Sequence, residues 1–329
     1  MSKVDDQRDG ALTHAVPEGG ATESGAYRIP CAFEPTPRKT PMLPARALPL
    51  GAPRPTLTLM SGMEAGRVIP LDAEAVVIGR EVVGDGLSIE DPGISRRHAR
   101  IVRNEDGTHR IEDLGSTNGT LVRGIRVAVA PLEHGDYVQL GGSLLARFAM
   151  IDPTEEALAR RLYESSVHDP LTRVYNKRYF LGRLEAEVAC ARRTGDALSL
   201  LMLDVDQFKR FNDAFGHLPG DRALCFIAAK VLRQIRVGSV LARYGGEEFV
   251  VLSPGTAAAE ADRLAERVRR AIEGLRFSAA ATTVSLTVSI GVATVADLGA
   301  HEGAPALLSL ADARLHAAKA AGRNRVHGA

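Results

Sequence analysis

The periodicity of this chain changes at Pro153, and no single layer architecture accommodates both sides of the change. Before it, short β-rich runs alternate with turn residues: "TLTLM", "RVIP", "AVVIG", "HARIV", "HRIED", "TLVRGIRV", "DYVQLG" and "SLLARFAM". Strands this short and frequent, with no helical spacing between them, predict an all-β sandwich over residues 55–150. After it, helical spacings alternate with apolar runs of strand length, which predicts an α/β (α+β) sheet domain over 169–329. The stretch "TEEALARRLYESSVHD" between them reads as a connecting helix within 151–168, capped by Thr154, with a thin apolar seam at Leu158 and Leu162. Residues 1–54 hold eight of the seventeen prolines and no sustained period, the composition of a disordered tail.

Bulk properties exclude several classes. A net charge of +1 makes no global case for nucleic acid or an anionic membrane. No apolar run approaches the roughly 20 residues that span a bilayer, and the first twenty residues lack the apolar core of a signal peptide. Cys31, Cys190 and Cys225 are scattered, without metal-type spacing, as expected of free thiols in a reducing cytoplasm.

The C-terminal half supplies the chemistry. Phe180, Leu184 and Val188 mark a helix over 177–193. "ALSLLML" predicts a buried central strand. Leu224, Ile227, Val231 and Ile235 mark a helix from about Asp221 to Arg236. Further helices are expected over "AAAEADRLAERVRRAIEG" and "APALLSLADARLHAAKAAG", with one strand over "TVSLTVSIGVA". In "RYGGEEFVVL" (243–252) a Gly-Gly pair between two strand-forming runs predicts a tight hairpin that uses the glycines' positive φ. Asp204 and Asp206 stand at the exit of the central strand and are expected to face opposite ways, so that one of them shares a site with Glu247. That pair would form an all-oxygen cluster suited to a hard divalent cation.

Five motifs in order, "DPLTRVYNKR" (169–178), "DVDQFKRFND" (204–213), "FGHLPGD" (215–221), "RYGGEEF" (243–249) and "AKAAGRN" (318–324), resemble the GGDEF family of diguanylate cyclases. The resemblance implies a fold similar to the nucleotidyl cyclase and polymerase palm. It also implies condensation of two GTP molecules to cyclic di-GMP with loss of two pyrophosphates, in a homodimer whose two sites face each other. By the same resemblance Asp204, the Val205 carbonyl and Glu247 hold Mg²⁺ or Mn²⁺, two ions per site. Glu248 supports catalysis or tunes the metal. Asn212 and Asp221 read the guanine edge. The backbone at Gln207 and Phe208, with Lys209, Lys319 and Arg323, receives the phosphates. Lys319 and Arg323, four apart at a helix end, are expected to share a face. Where many members carry an Arg-x-x-Asp product site, this chain has "RVGS": Arg236 and a second arginine, Arg267, remain, but Ser239 replaces the aspartate. Loss of a carboxylate that accepts from guanine predicts weak or absent product inhibition.

The β-rich half resembles forkhead-associated (FHA) domains through "VIGRE", "ISRRHARI" and "DLGSTNGT". That resemblance implies a cleft for phosphothreonine lined by Arg80, Ser95, Arg96, Thr117 and Asn118, with His98 a buried support. Guanidinium groups suit phosphate because they form charge-assisted, bidentate hydrogen bonds. Together the halves imply a phosphorylation-controlled cyclase, whose own tail threonines are candidate ligands. Among these Thr40, with Leu43 at +3, is the favoured phosphosite. A degenerate nucleotide sensor and an FHA-led phosphoprotein adaptor are the alternative functions.

Overall fold

The computed structural model describes residues 51–82, 86–89, 91, 93–279 and 282–328. The N-terminal segment, with Thr40, lies outside the described residues.

The first domain is a sandwich of two sheets. One runs, edge to edge, through Val68–Pro70, Arg54–Leu59, Leu144–Ile151, Tyr137–Leu140, Thr120–Val122 and Ile125–Val127. The other runs through Leu87–Ser88, Ala75–Gly79, Ala99–Arg103, His109–Asp113 and Val129–Leu132. Alternate residues point inward, as a half-buried strand requires: Leu57 and Leu59, Val76 and Ile78, Ile101, Ile111, Val138, Leu140 and Phe148 form the shared core.

Helix α1 (Pro153–Val167) leads out of the sandwich. Its cap is Asp152, not Thr154: the Asp152 carboxylate accepts from the amides of Thr154 and Glu155, and Pro153 occupies the first turn, where its missing N–H costs nothing. The expected seam is not buried, since Leu158 and Leu162 are 58% and 62% exposed. The helix is held instead by buried Glu156, whose Oε2 accepts from Arg54 Nη2 at 2.6 Å.

The second domain packs helices on both faces of one sheet. The strand order is Tyr175–Asn176, Val240–Arg243, Glu248–Pro254, Leu198–Val205, Val288–Thr294, Val326–His327. Leu198–Val205 is buried along its whole length and runs antiparallel to both neighbours. Its even-numbered residues, Leu198, Leu200 and Met202, meet α2 (Lys177–Thr194) and α6 (Ala304–Ala320). Its odd-numbered residues, Leu201, Leu203 and Val205, share a core with α4 (His217–Leu232) and α5 (Ala258–Glu273). A strand with helices on both faces reads as a continuous apolar run even when its neighbours are antiparallel.

Three boundaries differ from the sequence expectation. The helix expected over 221–236 is preceded by α3 (Phe208–Phe215) and itself starts at His217, because Gly216 turns the chain at φ +88°. It ends at Leu232, four residues early, and Ile235 packs against the core from the following loop. "TVSLTVSIGVA" is not one strand: it divides into Thr282–Val284, paired with Phe277–Ala279, and Val288–Thr294 in the main sheet. The hairpin is present, but neither Gly245 nor Gly246 adopts a positive φ.

Candidate functional site

The carboxylates converge at one end of the second sheet. Asp204 and Glu248 are register partners across the central strand and the returning hairpin strand. Glu247 sits in the turn, its carbonyl accepting from Val205 N–H at 3.2 Å. From the opposite side α6 delivers Lys319, whose Nζ lies 2.8 Å from Asp204 Oδ2. Asp204 and Asp206 do not diverge as expected. Residues two apart on a strand share a face, and both carboxylates turn toward α6 and the segment after it. Their partners separate them. Asp206 is buried and accepts from Thr287 Oγ1 (2.7 Å), Ser289 Oγ (2.6 Å) and the Asn324 amide (3.0 Å), which makes it a tie between strands and the chain after α6. Among the described residues Asp204 keeps only the flexible lysine as a side-chain partner.

The electrostatics of this corner favour a cation. Burial pushes the Asp204 carboxyl above its usual range, against the opposing pull of Lys319, and the Asp206 charge adds to the rise. Glu247 is raised by burial first and then by Asp204. Among the described residues no three His, Cys, Asp or Glu side chains are grouped as a metal site. Two carboxylates and a nearby backbone carbonyl are nonetheless a fitting donor set for Mg²⁺, which completes its shell with substrate phosphates and water rather than with an all-protein cage.

The hairpin turn is strapped from outside. Arg243 Nη2 and Nε donate to the Gly246 carbonyl at 2.6 and 3.2 Å, while Nη1 reaches Asp169 Oδ1 at 3.2 Å. Asp169 also accepts from Thr172 N and Oγ1. Burial raises its carboxyl, but the Thr172 and Arg243 bonds outweigh that and hold it low. A Cβ at Gly245 would meet only the side chain of Glu248, whose flexible carboxylate end can turn aside. Arg243→Met should therefore lower kcat of any turn-dependent reaction by about 10²-fold with the circular dichroism retained. Arg243→Lys, keeping one contact, should recover part of it.

The remaining residues of the GGDEF-like half lie around this corner. Gln207, at φ +57°, opens α3, so the amides of its first turn are left without partners from the helix. The Phe208 ring is buried, leaving its backbone for any ligand, and Lys209 is exposed. Asn212 on α3 lies against Gly220, and its Oδ1 is a buried acceptor with no partner. Asp221 stands one residue on, exposed on α4. Arg323 does not share a helical face with Lys319: α6 ends at Ala320, and Arg323 is exposed beyond it at φ +63°.

Arg236 and Arg267 line one pocket of about 380 Å³ with Arg263. Arg236 donates to the Pro254 carbonyl, and Arg267 to that of Gln234 at 2.7 Å. Ser239, in place of an acid, joins a hydroxyl chain: its Oγ is 3.0 Å from Ser253 Oγ, which is 2.9 Å from Thr256 Oγ1.

In the sandwich, Arg80, Ser95, Arg96, Thr117 and Asn118 line one open cleft of about 580 Å³. Ser95 Oγ accepts from Thr117 N–H at 3.1 Å, and Asn118 Nδ2 donates to the Gly93 carbonyl at 2.9 Å, so the loops brace each other. Fully buried His98 accepts from Ser95 N–H through Nδ1 (3.1 Å) and stands 3.1 Å from the Gly119 carbonyl through Nε2. Those partners fix the neutral Nε2–H tautomer. Sequence reasoning passed over Arg97, which also lines the cleft, and Asp113, whose carboxylate accepts from Gly115 N, Ser116 N and Oγ, and Thr120 Oγ1. The aspartate opening "DLGSTNGT" was the available signal, since Asx-turns are local.

A family model described as "Diguanylate cyclase, GGDEF domain" matches residues 166–325, and one described as "FHA domain" matches 76–141. Response regulator PleD of Caulobacter vibrioides is 34% identical over 241 residues, covering 70% of this chain and 53% of the relative. Diguanylate cyclase DgcP of Pseudomonas aeruginosa is 41% identical over 163 residues, 50% of this chain and 24% of the relative. The chain thus spans about half or less of these curated relatives. The solved coiled coil and GGDEF domain of DgcB from Caulobacter crescentus, in complex with c-di-GMP, is 31% identical with a TM-score of 0.50, over 54% of this chain and 92% of that one.

Proposed function

The chain is an FHA domain followed by a GGDEF domain, and from that premise we propose that it is a diguanylate cyclase, joining two GTP molecules into cyclic di-GMP with release of two pyrophosphates. The observation that carries this reading is the convergence of Asp204, Glu247 and Lys319 at one sheet end, from three separate segments of which the outer two are more than a hundred residues apart. The buried, unpartnered Asn212 Oδ1 supports guanine as the base, since it can accept from N2–H₂ while the Asp221 carboxylate accepts from N1–H. A site built on such bonds rejects adenine, which offers no matching donor pair. The free amides opening α3, with Lys209, Lys319 and Arg323, neutralise the triphosphate. Asp204, Glu247 and the Val205 carbonyl would hold Mg²⁺ or Mn²⁺, which supplies Lewis-acid polarisation of the phosphates when bound. Glu248 adds negative charge beside Glu247 and so strengthens the site for a cation. Each site binds one GTP, so the product requires two domains facing each other in a homodimer.

Arg80, Ser95, Arg96, Thr117 and Asn118 form the phosphothreonine cleft of this reading, and its occupant controls the cyclase. A phosphorylated N-terminal segment, in cis or across the dimer, is the candidate, at the high effective concentration that tethering provides.

Incubating the purified chain with GTP and Mg²⁺ tests the catalytic reading. The expected result is cyclic di-GMP and pyrophosphate in a 1:2 ratio by chromatography, abolished by EDTA and restored by excess Mg²⁺. Tight GTP binding without product would favour the nucleotide-sensor alternative.

A further inference from the structure

The FHA cleft is more cationic than one phosphate requires. Arg80, Arg96 and Arg97 all line it, and among the described residues no carboxylate does. The carboxylate of Glu81 lies 3.7 Å from Arg80 and is itself 62% exposed, which makes it a weak, solvent-screened partner. Among the described residues neither Arg96 nor Arg97 is in an ion pair, and both are exposed. A phosphothreonine brings about −1.5 to −2 charges at neutral pH. Three guanidinium groups therefore leave about one positive charge to be met by something beside the phosphate. Resting on the reading that this cleft binds phosphothreonine, we propose that its ligand is an acid-flanked phosphothreonine, and that within this chain it is the segment around Thr22 rather than the one around Thr40.

The charge pattern of the N-terminal segment separates the two. Thr22 is followed directly by Glu23 and preceded by Glu18, and no lysine or arginine occurs between Arg8 and Arg28. Thr40 follows Arg38 and Lys39 directly. A peptide around Thr40 brings two cations against three arginines, where like charges repel. One around Thr22 brings two carboxylates to the same surface. Thr36, between Glu34 and Arg38, is intermediate. Chain length sets no bar: from Thr22 to Gly51 the backbone reaches about 100 Å at full extension.

Calorimetry on the full, unphosphorylated chain tests this with two synthetic peptides, residues 17–27 phosphorylated at Thr22 and residues 35–45 phosphorylated at Thr40. The Thr22 peptide should bind about tenfold tighter or more, a difference of at least about 1.4 kcal/mol, narrowing as salt is raised. Arg97→Glu should collapse or reverse the order, and Arg80→Ala should abolish binding of both peptides. Equal affinities, a tighter Thr40 peptide, or an order indifferent to Arg97→Glu overturn the charge assignment while leaving phosphothreonine recognition standing. If neither peptide binds, the phosphothreonine reading falls with it.

Discussion

Glu247→Gln should lower cyclic di-GMP formation by about 10³-fold or more, near 4 kcal/mol of transition-state stabilisation, while leaving the metal-free protein as stable as before or slightly more so. The two halves of this result come from one cause. In the metal-free site Glu247 is held above its usual pKa by burial and by Asp204, so its charge is a cost that glutamine relieves at nearly the same volume. With substrate and cation present, the same charge is what binds and positions them. Gains in stability at the expense of activity are the mark of residues kept for function. Turnover measured beside thermal melting in EDTA gives the answer. A variant that loses activity and stability together would place Glu247 among the structural residues.

The second large effect falls at a position with no role in chemistry. Gly291→Ala should destabilise the second domain by about 3 kcal/mol, the upper range for overpacking a core, and lower its melting temperature by roughly 10 °C. A Cβ at Gly291 would strike the Ala311 carbonyl oxygen and the Leu315 amide nitrogen, with the Arg314 carbonyl carbon at 2.9 Å. All three are backbone atoms of α6, so no rotamer change relieves the clash. The helix must lift from Val288–Thr294, and it carries Lys319 away from Asp204. Thermal melting followed by circular dichroism, with turnover assayed below the transition, measures both consequences.

Much of the site was legible because its motifs are local. "DVDQFKRFND", "RYGGEEF", "ISRRHARI" and "DLGSTNGT" each keep their residues within one turn or strand end, so the resemblance of these motifs to their families was enough to single out Asp204, Glu247, Ser95 and Asn118 as candidates. Helix limits were less legible. Thr154 looked like a cap because threonine caps well, but Asp152 lies one residue before Pro153 and takes that place. Leu158 and Leu162 have helical spacing, yet spacing does not say whether anything lies against them. Lys319 and Arg323 were placed on one face by counting in fours, which holds only while the helix lasts, and α6 ends between them.

The sequence by itself determined that a β-sandwich precedes an α/β domain, that both carry their families' motifs, and which side chains are available for phosphates and cations. The first follows from periodicity; the motifs and their candidate side chains follow from the resemblance that short-range spacing carries, which the chain keeps wherever it folds. Only the tertiary structure decided that Asp206 is spent tying Thr287, Ser289 and Asn324 together while Asp204 meets Lys319, that Arg243 straps the hairpin turn to Asp169, that α6 rests on Gly291, and that Arg97 joins Arg80 and Arg96 around one cleft. Each of these pairings depends on which strands lie side by side and how closely a helix can approach them. Sheet order and close packing of distant segments set those distances, and no local pattern encodes them.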